Sequence, residues 1–278
     1  MPTNEQRRAA AKRKLDRQLA RRAERAKARY ARRYAVGGGA AAVVLAIGVV
    51  VLITTLSGRD QPVNTATKPE PSAKPASQLV TPPTRPQPLP ASVDCQYPAG
   101  QAPAKPVNAP QAGPTTATGT VSATMQTSAG PIGLTLDRAL APCTVNSFIS
   151  LAQQGFYSNS PCHRLVTTPG LQVLQCGDPT GSGTGGPGYT IPDEVFKELT
   201  YPRGYVAMAK TSQPNSGGSQ FFLIYGNSQL PPDYTVFGTV SPDGLKVIDE
   251  IAKAGSEGSQ GDGKPKQPVT ITSVDVTK

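Results

Sequence analysis

Three short segments hold most of the side chains able to do chemistry: His163-Arg164, Gln175-Cys-Gly-Asp178 and Ser216-Gly-Gly-Ser-Gln-Phe-Phe-Leu-Ile-Tyr225. His163 is the only histidine among 278 residues. With a serine it would suggest nucleophilic hydrolysis, but no Gly-x-Ser-x-Gly elbow accompanies it, and it reads as a packing or hydrogen-bonding neighbour of Arg164. Gly181-Ser-Gly-Thr-Gly-Gly186 satisfies Gly-x-Gly-x-x-Gly, yet it neither opens a helix nor belongs to a βαβ unit. It is a loop rather than a dinucleotide cradle. The four cysteines (Cys95, Cys143, Cys162, Cys176) show no Cys-x-x-Cys spacing and have one histidine for company, which argues against a zinc site. No metal and no cofactor are expected.

The segments belong to a longer ordered set: Cys162-His-Arg-Leu165, Gln175-Cys-Gly-Asp-Pro-Thr-Gly-Ser-Gly-Thr-Gly-Gly186, Val206-Ala-Met-Ala-Lys210, Asn215-Ser-Gly-Gly-Ser-Gln-Phe-Phe222 and Val236-Phe-Gly238. Each is weak alone. In this order they are specific, and residues 115 to 278 resemble the cyclophilin-type peptidyl-prolyl isomerases, above all the membrane-anchored bacterial members.

The resemblance implies catalysed rotation about X-Pro bonds, whose barrier of about 18–20 kcal/mol comes from amide resonance. In the twisted transition state the proline nitrogen is pyramidal with a localised lone pair, so a fixed cationic donor beside it stabilises that state more than the planar one. Arg164 occupies the family's arginine position, and a guanidinium suits the role because it stays charged and offers its donors in a rigid fork. Gln175 would bind the peptide backbone and orient the arginine, and Phe222 would floor the proline pocket. Phe221, on the alternate face, would point into the barrel.

Counting back from Gln175 by twos gives Val173, where the family usually has methionine, and Leu171, where it usually has phenylalanine, with Gln172 as competitor. The competitor arises because Arg164 and Gln175 stand two residues further apart than in the common form, through Thr167-Thr-Pro-Gly170. An even insertion leaves strand facing unchanged. Ala209, Lys210 and Thr211 match the neighbouring wall, with Lys210 in place of asparagine, and Gln220 matches a supporting polar position. Gln229-Leu230 stands where many eukaryotic members have tryptophan-leucine, and Tyr234 where they have histidine. Leu230 can still cover the proline ring. The tryptophan helps bind cyclosporin in the family and this chain has no Trp, so weak cyclosporin binding with retained activity is implied.

The elements around these residues follow from pattern. Period-two alternation with β-branched residues predicts strands at 118–128 and 132–136, and shorter ones at 162–167, 172–176, 204–209, 219–225, 235–240 and 269–276. Helices are predicted at 142–153, which starts with Pro142, and at 244–253. Many strands, two helices and no βαβ alternation give a mainly β fold, an eight-stranded antiparallel barrel capped by two helices. That is the cyclophilin layout. Strands 162–167 and 172–176 form a hairpin whose outer ends place Cys162 opposite Cys176. Of three possible pairings this favours Cys162–Cys176 and Cys95–Cys143.

Upstream, the chain changes character. Residues 1–34 carry thirteen of the 28 Lys/Arg against three acidic residues, so the net charge of +10 resides there and the remainder is balanced at fifteen of each sign. A basic nucleic-acid-binding domain is thereby excluded, and nucleic acid is not an expected partner. Residues 35–56 are 22 uncharged, largely apolar residues, which as a helix span roughly 33 Å, enough for a single transmembrane anchor. The run is longer than a signal-peptide core and lacks an Ala-x-Ala cleavage pattern. Cations on its N-terminal side put that side in the cytoplasm and the rest of the chain outside, where thiols oxidise. Residues 57–92 read as a Pro/Thr-rich disordered spacer and 93–278 as the isomerase domain, acting on proline-containing segments of exported proteins. Two other classes compete: a proline-binding module without turnover, and a structural envelope protein with a decayed site.

Overall fold

The computed structural model describes residues 80–258 and 260–277. The basic tail, the apolar run at 35–56 and the spacer as far as residue 79 lie outside them. Among the described residues no helix is long and apolar enough to cross a membrane. Residues 80–91, assigned by composition to the spacer, lie along the domain: the Arg85 guanidinium donates to the carbonyls of Leu140 and Glu194, each at 2.9 Å, and the Tyr205 hydroxyl donates to the Thr81 carbonyl at 3.0 Å.

Ser92–Cys95 (β1) and Gly113–Thr116 (β2) pair as a two-stranded antiparallel ribbon. Thr120–Thr127 (β3) and Gly130–Asp137 (β4) follow, then Pro142–Gln153 (α1). Val121, Ala123 and Met125 alternate inward along β3, as Ile132, Leu134 and Leu136 do along β4. That period of two is what made the strands legible. After α1 come Ser160–Pro161 (β5), Arg164–Thr168 (β6), Leu171–Cys176 (β7), Tyr205–Met208 (β8), Phe221–Ile224 (β9) and Val236–Val240 (β10). Pro242–Ala254 (α2), Asp262–Gly263 (β11) and Thr270–Val276 (β12) complete the chain.

β3 to β12 form one antiparallel sheet in the order β11-β6-β7-β9-β8-β10-β4-β3-β12-β5. The sheet has ten strands rather than the eight expected, and its two end strands, β11 and β5, are not paired with each other, so it is a curled half-barrel. Both extra strands are two residues long and sit at the edges. Two residues carry no periodicity, and only a distant partner makes them strands.

Each helix closes one part of the curl. α1 buries Val145, Phe148 and Leu151, and the Phe148 ring meets Tyr157, Phe221 and Phe237 at centroid distances of 5.1, 5.4 and 5.5 Å. Pro142 begins α1 but no local side chain caps it. The Glu194 carboxylate does so from fifty residues away, accepting from the backbone N–H groups of Cys143 (2.9 Å) and Thr144 (2.8 Å). α2 is capped locally by Ser241, whose hydroxyl accepts from the Gly244 N–H, and it buries Leu245, Ile248 and Ile251. Both disulfides, Cys95–Cys143 and Cys162–Cys176, pair as the sequence favoured.

Candidate active site

The hairpin of β6 and β7 sets the geometry. Its register pairs Arg164 with Gln175, Val166 with Val173 and Thr168 with Leu171, so the two additional residues at 167–170 lengthen the hairpin by one pair across a turn at Pro169-Gly170. Gly170 turns with φ +84°, which glycine adopts without strain. On the other side of β7, Gln175 faces Phe222 of β9, which in turn faces Ala207 of β8. Directly opposed residues of antiparallel strands share a face. Arg164, Gln175 and Phe222 therefore form one row across three strands, although 58 residues separate the first from the last.

Side-chain hydrogen bonds run along this row and past it. Arg164 donates from Nη1 to Gln175 Oε1 at 3.2 Å, Gln175 Nε2 donates to Gln220 Oε1 at 3.0 Å, and Gln220 Nε2 donates to the carbonyls of Gly183 (2.9 Å) and Gly185 (3.0 Å). The two backbone carbonyls fix which end of Gln220 is the amide nitrogen. Its oxygen must then face Gln175, and the Gln175 oxygen must face the arginine. The loop at the far end is held by Asp178, whose carboxylate accepts from the N–H groups of Thr180, Gly183 and Gly185 and from the Thr180 and Ser182 hydroxyls. Burial alone would raise the Asp178 pKa, but these donors together hold it below the usual carboxylate value.

At the opposite end stands Asp262, from β11, which the sequence reading did not single out. Arg164 Nε and Nη2 donate to its two carboxylate oxygens at 2.8 and 2.7 Å, and these hydrogen bonds raise the Arg164 pKa and lower that of Asp262. Asp262 lies 98 residues from Arg164 on a two-residue strand, so nothing local to it announced the contact. A guanidinium has five N–H donors. Three are engaged here, and two remain for a peptide.

The other anticipated residues fall into two groups. Phe222 is 6% exposed and meets the Tyr234 ring edge-on at 5.5 Å, while Phe221, fully buried, meets Phe148 and Tyr157 on the interior face. Leu171 shares the face of Val173 and Gln175; Gln172 points away, to the side of Gly226 and a separate cavity bordered by Tyr225 and Asp249. The Gln229 N–H donates to the Gly170 carbonyl at 2.8 Å, bringing the segment with half-buried Leu230 to the turn beside Leu171. Gln175, Ala209, Lys210, Thr211 and Gln220 line one open cleft of about 490 Å3. Lys210 does not project freely, because its ammonium is paired with Asp193 at 3.0 Å. His163 makes no serine relay. Its ring nitrogens are buried with no hydrogen-bond partner among the described residues, burial lowers its pKa, and the ring lies close to Gly183 of the glycine-rich loop.

The curled antiparallel sheet thus presents an oriented arginine beside a buried phenylalanine, with an open cleft alongside. The family model described as cyclophilin type peptidyl-prolyl cis-trans isomerase matches residues 122–276. The chain is 48% identical to the probable peptidyl-prolyl cis-trans isomerase B of Mycobacterium leprae, over 99% of both chains. It is 52% identical to the protein of the same name from Mycobacterium tuberculosis, over 65% of this chain and 63% of that one. A crystal structure of a Cryptosporidium parvum cyclophilin type peptidyl-prolyl cis-trans isomerase aligns with a TM-score of 0.50 at 30% identity, covering 58% of this chain and 99% of the other. The chain belongs to the cyclophilin-type peptidyl-prolyl cis-trans isomerase family.

Proposed function

We propose that this isomerase turns X-Pro bonds in exported proteins, held outside the cytoplasmic membrane by an anchor at residues 35–56 with the basic tail inside, and that Arg164, Gln175 and Phe222 carry the reaction. The observation that supports these roles is the continuous chain Asp262–Arg164–Gln175–Gln220 beside Phe222. The proline ring rests on Phe222 and Tyr234, with Val173, Leu171 and Leu230 around it. Gln175 and the wall from Ala209 to Thr211 hold the peptide backbone. As the amide twists, a free Arg164 N–H donates to the emerging nitrogen lone pair, an interaction absent from the planar ground state. Net charge confined to residues 1–34, next to 22 uncharged residues, supports the orientation. Protease added to intact spheroplasts should degrade the isomerase domain while leaving the basic tail protected; a protected domain would overturn the placement.

Asp262 acts through Arg164. Both side chains are about 40% exposed, and such a surface pair contributes only about 0–1 kcal/mol to stability, so the value of the clamp lies in aiming the fork. Asp262→Ala should lower kcat/KM about tenfold while leaving the unfolding midpoint nearly unmoved, and Asp262→Asn should recover part of the loss. The pH dependence has a definite sign: because Arg164 depresses the Asp262 pKa, the clamp persists as pH falls past the ordinary aspartate value. It is lost only through the lowered one. In the pH profile of kcat/KM the acid limb of wild type should then contain a step missing from Asp262→Ala.

Cyclosporin should bind weakly. Gln229 is exposed at the position where the resemblance sets the tryptophan of many eukaryotic members, and Tyr234 stands against Phe222. A calorimetric titration giving tight affinity refutes this.

A further inference from the structure

The far side of the proline pocket is made by a segment with little regular structure of its own. Gln229 to Tyr234 belongs to no strand, and Pro231 and Pro232 have no N–H to place in a ladder. Within it the Asp233 N–H donates to the Pro231 carbonyl at 2.7 Å. The placing of Leu230 and Tyr234 must then come from other parts of the chain.

Tyr201 acts at both ends of this segment. It lies in the long connection between β7 and β8, where the following Pro202 biases it toward extended backbone. In that conformation it forms an isolated antiparallel bridge with Ser228, whose N–H donates to the Tyr201 carbonyl at 3.0 Å. Its side chain reaches the other end: the hydroxyl donates to the Tyr234 carbonyl and accepts from the Tyr234 N–H, both at 2.9 Å. The rings follow the backbone, for Tyr234 meets Tyr201 edge-on at 6.1 Å and Phe222 edge-on at 5.5 Å. Tyr201 is 2% exposed, and burial pushes its pKa up to about 12, so the hydroxyl keeps the proton it donates. Elsewhere the segment is held without Tyr201, through the Gln229 N–H on the Gly170 carbonyl and the Met208 N–H on the Thr235 carbonyl at 2.9 Å. Loss of the Tyr201 hydroxyl should therefore loosen one wall and leave the sheet folded.

We propose that Tyr201 is a positioning residue of the isomerase, whose hydroxyl holds Tyr234 edge-on to Phe222 and thereby sets the width of the proline pocket. The proposal rests on the reading of Phe222 and Tyr234 as the surfaces that receive the proline ring, and it deepens that reading. At 2% exposure Tyr201 offers almost no surface to a peptide, so its effect passes through Tyr234.

A wall that grips the ring alike in the planar and the twisted peptide contributes to binding and not to the barrier. Tyr201→Phe, which removes one oxygen and keeps the ring, should raise KM for a proline peptide about five- to tenfold and change kcat less than about twofold. Exchange of the Tyr234 amide hydrogen should accelerate in this variant while the amides of β8 and β9 stay protected. Loss of protection across the whole sheet, or an unmoved KM, overturns the proposal. A double-mutant cycle in the full chain, with Tyr201→Phe, Tyr234→Ala and the two combined, shows the route of the effect. Tyr234→Ala removes the ring but keeps the backbone groups that Tyr201 bonds, and it should lower kcat/KM about tenfold. Adding Tyr201→Phe to it should cost less than about a further twofold. If the two losses multiply instead, Tyr201 does not act through the Tyr234 ring, and the proposal falls while the pocket reading stands. If Tyr234→Ala is as active as wild type, the pocket reading itself is wrong and the role of Tyr201 falls with it.

Discussion

Replacing Arg164 with alanine should lower kcat/KM for a proline peptide by about a hundred- to a thousandfold, the usual consequence of removing one preorganised donor aimed at transition-state charge. The loss should fall on kcat more than on KM, because the planar substrate offers no pyramidal nitrogen for the arginine to bind. Folding should be little affected: the Arg164 side chain is 40% exposed and its ion pair with Asp262 lies at the surface. Arg164→Lys should fail to rescue. One ammonium cannot meet both oxygens of Asp262 and the Gln175 oxygen while still presenting donors to the peptide. A protease-coupled assay with single-turnover controls reads both numbers, and equal rates for wild type and Arg164→Ala would remove Arg164 from the mechanism.

The second large effect concerns stability. Cys95–Cys143 closes a loop of 48 residues, for which the chain-entropy model gives about 4 kcal/mol. Domains are commonly stable by only about 5–15 kcal/mol, so the double variant Cys95→Ala with Cys143→Ala should shift the urea midpoint strongly. The shorter loop of Cys162–Cys176, 14 residues, predicts about 3 kcal/mol. The order of the two midpoint shifts is the check. A longer loop that contributed less would show that the segment around Cys95 is already confined in the unfolded chain.

The site was legible in the sequence to different depths. Arg164, Gln175 and Phe222 were picked out because each sits in a local string that resembles the family's, while counting by twos from Gln175 gave only Val173 and Leu171; the row the three share comes from the strand register. The even insertion at 167–170 preserved that face, as strand geometry requires. Asp262 was missed for the opposite reason, since Gly261-Asp-Gly263 has the composition of a turn and becomes a strand only by pairing with β6. Glu194 was likewise missed: a helix that starts with Pro142 looks self-sufficient, but its orphan N–H groups are met by a carboxylate from another part of the chain. The residues at 80–91 illustrate a limit of composition, because a proline-rich stretch with little apolar content still lies on the domain through Arg85, whose guanidinium also stands over the Phe196 ring at 5.1 Å.

By itself, then, the sequence determined the segregation of charge and, through the hairpin, the cysteine partners, and its ordered strings carried the resemblance that named the family and its reaction. These depend on residue type and on order along the chain. Tertiary structure alone decided that the sheet stays open with ten strands, that Asp262 clamps the arginine, that two glutamines relay the alignment of that arginine to a glycine-rich loop, and that Tyr201 is bonded to both ends of the segment carrying Leu230 and Tyr234. Those are contacts between residues up to about a hundred positions apart, and no local pattern encodes them because each depends on a partner that only the folded sheet brings near.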